Sequence, residues 1–180
     1  MGAARVISGG QTMNPSTGDF LKQINALPNQ NIILLPNIKN IYLAAQQAAA
    51  LIQDKRIFVL PSRTIPQGIS AMVAYANLRD SHDADEIFAA MSEALSAVVS
   101  AEITTAIRSV QIGNVTVHEG QLIGLLEGDL VVSGENMLEV LRDLLVKAGT
   151  SKRELITLYY GSSTHKAKTR GEINRTKAKW

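Results

Sequence analysis

The stretch NIILLPNIKNIYLAAQQAAALIQDKRIFVLP, Asn31–Pro61, decides the fold. It holds two short apolar runs, NIILLP and RIFVLP, with a helical pattern between them. In that pattern Ile41, Ala45, Ala48, Ala49 and Ile52 share one face, and Asn37 stands where a helix cap is expected. Runs that are apolar throughout suit parallel strands buried on both faces. Strand, helix, strand is the parallel crossover unit, and its connection is right-handed.

The pattern continues outward on both sides. Upstream, ARVIS reads as a strand. STGDFLKQINAL follows as a helix, with Ser16 as N-cap and Phe20, Leu21, Ile24 and Leu27 at helical spacing. Downstream, Thr64 and Pro66 open a helix through QGISAMVAYA, and a further helix is expected over Asp83–Ser100. The expected fold class is α/β, a parallel sheet lobe over 1–100 with helices on both faces.

Beyond residue 100 the pattern changes. NVTVHEG, QLIGLLEG and DLVVSG are short strands divided by Gly113-Asn114, Glu119-Gly120 and Gly128-Asp129. Asn136–Gly149 reads as a helix, with a cap at Asn136, a stripe of Leu138, Leu141, Leu144 and Leu145, and Gly149 just past its end. ELITLYYG reads as a closing strand. These pieces predict a smaller α+β lobe with a β-meander over 101–161, followed by a basic, disordered tail over 162–180.

Composition narrows the function. The 180 residues carry 46% hydrophobic and 19% charged residues, the profile of a soluble globular chain. No apolar run is long enough to span a membrane, and no secretory signal opens the sequence. Cysteine is absent, so disulfides, thiolate metal sites and a cysteine nucleophile are excluded; a cytoplasmic protein is expected. The net charge of +2 divides unevenly. Lys166–Trp180 hold six Lys/Arg against one Glu and contribute +5, which leaves Met1–His165 at −3. A mildly acidic body is not a nucleic-acid-binding surface.

The three expected parallel strands end in similar loops, SGGQT, LPNIKN and LPSRT. Such loops lie together at the carboxyl edge of a sheet, where ligands bind. Gly9, Gly10, Gln11, Thr12, Asn14, Ser16, Asn37, Asn40, Ser62, Thr64 and Gly68 therefore form a candidate rim for a ligand or partner. Helix N-termini would add backbone donors for a carboxylate or phosphate. The same residue types are also the ordinary caps of helix starts. No phosphate-binding GxxxxGK[ST] or GxGxxG motif occurs. His82, His118 and His165 lack metal-ligand spacing, and Asp80, Asp83, Asp85 and Glu86 cluster where a helix start favours acids. No catalytic or metal-binding residue is assigned.

VISGGQTMNPSTGDFL, IILLPNIKNIYLAAQQAA, FVLPSRTIPQGISAMVAY, AIRSVQIGNVTVHEGQLIGLLEGDLVVSG and ELITLYYG together resemble the C-terminal domain of the bacterial fatty-acid kinase ATP-binding subunit, of the dihydroxyacetone-kinase-like family. The resemblance covers nearly all of Arg5–Gly161. It implies that ATP and magnesium belong to an upstream kinase domain, and that a middle domain with Cys and His residues serves phosphoryl transfer. The C-terminal domain then docks a separate DegV-type fatty-acid-binding protein, and no cofactor is expected in this chain.

GGQTMNPSTGDFL also resembles the Thr-Ser-Gln-Pro-Ser loop of the DegV family itself, and VLPSRTIPQG that family's second polar loop. In this likeness Gly10, Gln11, Thr12, Pro15 and Ser16 lie near a carboxylate-binding edge. The Thr-Ser pair that grips a carboxylate there is Gly9-Gly10 here. The leading expectation is a non-catalytic docking domain of a fatty-acid kinase. The alternative is a DegV-like fatty-acid or small-anion binding module, and an enzyme with its own phosphoryl-transfer site ranks third.

Overall fold

The structure is a computed structural model that describes residues 2–9, 13–113 and 115–160. The chain divides into two compact units, Met1–Val98 and Val99–Trp180.

The first unit is built on strands β1 (Asn31–Leu34) and β2 (Arg56–Val59), which pair in parallel with Ile32 beside Ile57 and Leu34 beside Val59. Alternation of side chains gives each strand two buried faces. Ile32, Leu34, Ile57 and Val59 face a core with Phe20, Ile24, Ile41, Ala45 and Ala48. Those partners come from helices α1 (Thr17–Asn25) and α2 (Tyr42–Leu51) and the 3-10 turn Lys39–Ile41 that leads into α2. Ile33, Leu35 and Leu60 face the opposite core, with Ala71, Ile87, Met91 and Leu95 from α3 (Ile65–Leu78) and α4 (Ala84–Ser96). Helices thus cover both faces of the sheet. The alanines of α2 are what let that helix lie close on the strands, since Ala45 and Ala48 are fully buried. Lys55 Nζ donates to the carbonyls of Ile24, at 3.1 Å, and Leu27, satisfying acceptors that the end of α1 leaves open.

Two expectations in this unit fail. Residues 5–9 belong to no strand. A strand buried on both faces needs partners on both, and here only Ile7 packs on the core while Val6 is exposed. The last helix ends at Ser96 rather than at residue 100.

The second unit is antiparallel. Strands β3 (Ala101–Thr105), β6 (Leu122–Leu126) and β7 (Asp129–Gly134) form one sheet in the order β3-β6-β7. Strands β4 (Val110–Ile112) and β5 (Val115–Val117) form a separate hairpin. Leu126 pairs with Asp129, so the tight turn is Glu127-Gly128, one residue earlier than the glycine pattern suggested. Both turn residues have positive φ, 52° and 93°, which the right-handed twist of a two-residue hairpin requires. Glu127 holds its place by exchanging hydrogen bonds with Ser100: its carboxylate accepts from the Ser100 amide and its own amide donates to the Ser100 carbonyl at 2.9 Å.

Helix α5 (Met137–Lys147) is capped by Asn136 and followed by Gly149 at φ 67°. Its buried contacts are Val140 and Leu144, so the core-facing stripe is shifted from the expected leucines. Residues 155–160 form no strand, contrary to expectation. A strand exists only with a partner, and among the described residues ELITLYY has none. The expected tail over 162–180 lies outside the described residues.

Candidate functional site

The carboxyl ends of β1 and β2 and the start of α3 bring five residues together. Asn37 follows β1 with φ 58°, the left-handed region that asparagine tolerates better than most residues. It caps no helix; the N-cap of α2 is Ile41. Its backbone N–H donates instead to Ser62 Oγ at 3.0 Å across the strand ends, and Ser62 is fully buried. The Asn37 side chain lies over Gly68 in the first turn of α3, with its Oδ1 buried and without a hydrogen-bond partner.

Thr64 is the N-cap of α3, its Oγ1 accepting from the Gln67 amide at 3.4 Å, and proline stands in the first turn as expected. The buried Gln67 side chain folds back, its Oε1 accepting from the Arg63 amide at 2.8 Å. Gln67 is the rim residue that the loop comparison passed over. The spacing T-x-x-Q carried the signal: it is the capping-box pattern, in which the third helical residue reaches back to the entry of the helix.

Ser16 lies at the start of α1 in a capping box. Its backbone N–H donates to Asp19 Oδ2 at 2.8 Å and its hydroxyl donates to the same oxygen at 2.7 Å, while the Asp19 amide approaches Ser16 Oγ at 3.2 Å. The Ser16 side-chain and backbone hydrogen bonds hold the Asp19 carboxyl below its ordinary value, with Lys22 adding a smaller effect.

Gly9 does not adopt positive φ. It is glycine because the chain turns back on it: a Cβ would stand 2.7 Å from Pro15 Cδ and 3.0 Å from the Met13 carbonyl oxygen. Asn14 and Asn40 are exposed. Gly10, Gln11 and Thr12 lie outside the described residues.

The donor set of this rim is neutral, and each described hydroxyl is already used within the fold. Ser62 holds Asn37, Thr64 caps α3 and Ser16 is locked to Asp19. Such a set does not suit a magnesium–nucleotide, which calls for carboxylates and cationic phosphate clamps. Elsewhere, Asp83 caps α4 with Glu86 closing the box, and Asp85 pairs with Arg56 at 2.8 Å, so that acidic cluster serves the helix start. His82 and His118 are exposed, and His165 lies outside the described residues. Among the described residues no helix is long and apolar enough to cross a membrane.

A two-faced α/β layer with loops gathered at one strand edge is the architecture of DegV-like proteins. The chain superimposes on the crystal structure of a DegV lipid binding protein from Thermotoga maritima with a TM-score of 0.59 at 14% identity, covering 92% of this chain and 65% of that one. The likeness shows the fold alone. The model of the FakA-like C-terminal family, the C-terminal part of fatty acid kinase proteins of the FakA kind, matches residues 1–179, and the chain belongs to that family. An uncharacterized protein of Staphylococcus epidermidis is 38% identical over 174 residues, and protein YloV of Bacillus subtilis 37% identical over 161. The alignments cover 97% and 89% of this chain but 31% and 28% of those proteins. The chain therefore spans about three-tenths of the length of these relatives.

Proposed function

We propose that this chain is a non-catalytic docking domain of a fatty-acid kinase, acting in the cytoplasm. It recruits a DegV-type fatty-acid-binding protein, so that an upstream kinase domain holding ATP and magnesium phosphorylates the bound acyl carboxylate. One observation carries the reading. The match to the kinase family runs the whole chain, while the rim at the strand edge is occupied with its own caps. A domain with a carrier's fold, but with the described rim hydroxyls already engaged, is suited to holding the carrier itself. Docking of this kind raises the effective concentration of substrate at the kinase and needs no chemistry in the domain.

The test is a calorimetric titration of the full chain with a DegV-type fatty-acid-binding protein, beside a titration with a long-chain fatty acid alone. Saturable binding of the protein without binding of the free acid supports docking. One-to-one binding of the free acid, with no binding of the protein, moves the assignment to a fatty-acid or small-anion binding module. ATP turnover by the pure chain, abolished by a substitution within it, would overturn the non-catalytic role.

A further inference from the structure

The segment Leu155–Tyr160, LITLYY, is the most apolar surface of the second unit. Five of its six side chains are large aliphatic or aromatic groups, and all five are exposed, from 82% for Leu155 down to 37% for Leu158. The six residues carry no formal charge at neutral pH and no proline, and they are rich in the residue types that favour strands. Yet they join no sheet. Exposed apolar chain with unpaired backbone groups is a template for pairing with another strand.

We infer that two copies of this chain associate through this segment, pairing Glu154–Tyr160 antiparallel about Thr157. The sequence is self-complementary in that register. Thr157 meets its own copy across the two-fold axis, and Leu155 meets Tyr159. On the other face Ile156 meets Leu158, and Glu154 meets Tyr160. Threonine pairs and aromatic–aliphatic pairs are the favourable cross-strand contacts, and no like charges stand opposite each other. A symmetric pair closes on itself, so the product is a dimer rather than a filament. With only seven residues on each side, the contact is small and association depends on protein concentration.

The absence of cysteine from the chain permits a clean test of register. In the full-length protein, Thr157→Cys brings two sulfurs together at the axis, and mild oxidation yields a disulfide-linked dimer. Leu155→Cys places its two copies about 13 Å apart along the strands, beyond the roughly 7 Å that a disulfide tolerates between Cα atoms, and remains uncrosslinked. Sedimentation of the cysteine-free chain shows a monomer–dimer equilibrium, which Ile156→Lys and Leu158→Lys each shift to monomer. These side chains are exposed, so an unchanged far-ultraviolet spectrum of the monomer reports that the fold is intact. A cysteine-free chain that stays monomeric at every concentration overturns the inference, as does open polymerisation. Equal crosslinking at 155 and 157 overturns the antiparallel register.

Discussion

Asn37 lies over Gly68 with no room for a methyl group between them. A Cβ on Gly68 would stand 2.6 Å from Asn37 Cγ and closer still to its Oδ1. The contact joins the loop after β1 to the first turn of the helix after β2, and the hydrogen bond from the Asn37 amide to Ser62 Oγ makes a second link. Two strand ends are thereby fixed at one spacing.

Gly68→Ala is therefore expected to destabilise the fold by about 1–3 kcal/mol, the usual cost of overpacking. Asn37→Gly in the same chain is expected to restore most of that loss. Glycine accepts the positive φ and removes the obstructing amide. Denaturant melts of the two single variants and the double variant give the coupling directly. Additive effects would show that the two residues do not compete for this space.

The Asp19 carboxyl predicts a response to acid. Its hydrogen bonds with Ser16 exist in the folded state, so its folded pKa lies below the unfolded one. The stabilisation from this box is fully present above the ordinary aspartate value and is lost as pH falls through the folded value. Nothing is expected to change near neutrality. Carbon-13 titration of the Asp19 carboxyl should show the lowered midpoint, and Ser16→Ala should raise it toward the ordinary range. An unchanged midpoint in Ser16→Ala would assign the shift to another group.

Thr64 supplies the cap on which α3 starts. Thr64→Ala is expected to cost about 1 kcal/mol, and Thr64→Ser only a fraction of that, because serine keeps the accepting oxygen. Chemical denaturation of the three proteins compares them. A serine variant as weak as the alanine variant would show that the methyl group, rather than the cap, is what the site needs.

What the sequence discloses is what neighbouring residues decide. Ser16, Thr64, Asp83 and Asn136 cap their helices because a short polar side chain followed by a helical pattern has few other uses. The buried strands are legible for the same reason, since NIIL and RIFV need no distant residue to be recognised. Asn37 is not legible in this way. An asparagine that caps a helix and one that takes left-handed backbone look alike until Ser62 and Gly68 are placed beside it. ARVIS and ELITLYYG fail similarly: each has the composition of a strand, but a strand is a relation to a partner. Gln67 was legible as the end of a capping box. What hid it is that loop residues were sought at the strand end, three positions before the side chain that reaches back.

The docking reading makes a prediction about charge. The sequence separates a body of −3 from a terminal stretch of +5, so a purely electrostatic contact with an acidic partner would run through the terminus. Docking on the folded body instead predicts that Met1–Gly161 and the full chain bind a DegV-type fatty-acid-binding protein with the same affinity. It also predicts that raising the salt concentration, which shortens the screening length to a few ångströms, changes that affinity little. Transient interfaces of this kind mix apolar and polar contacts, and their rim charges affect association rate more than the final affinity. Parallel titrations of both forms at low and high salt decide the matter. Binding lost on removal of the terminus, with a steep salt dependence, would place the contact on the basic residues. Absence of binding by both folded forms would remove the docking role.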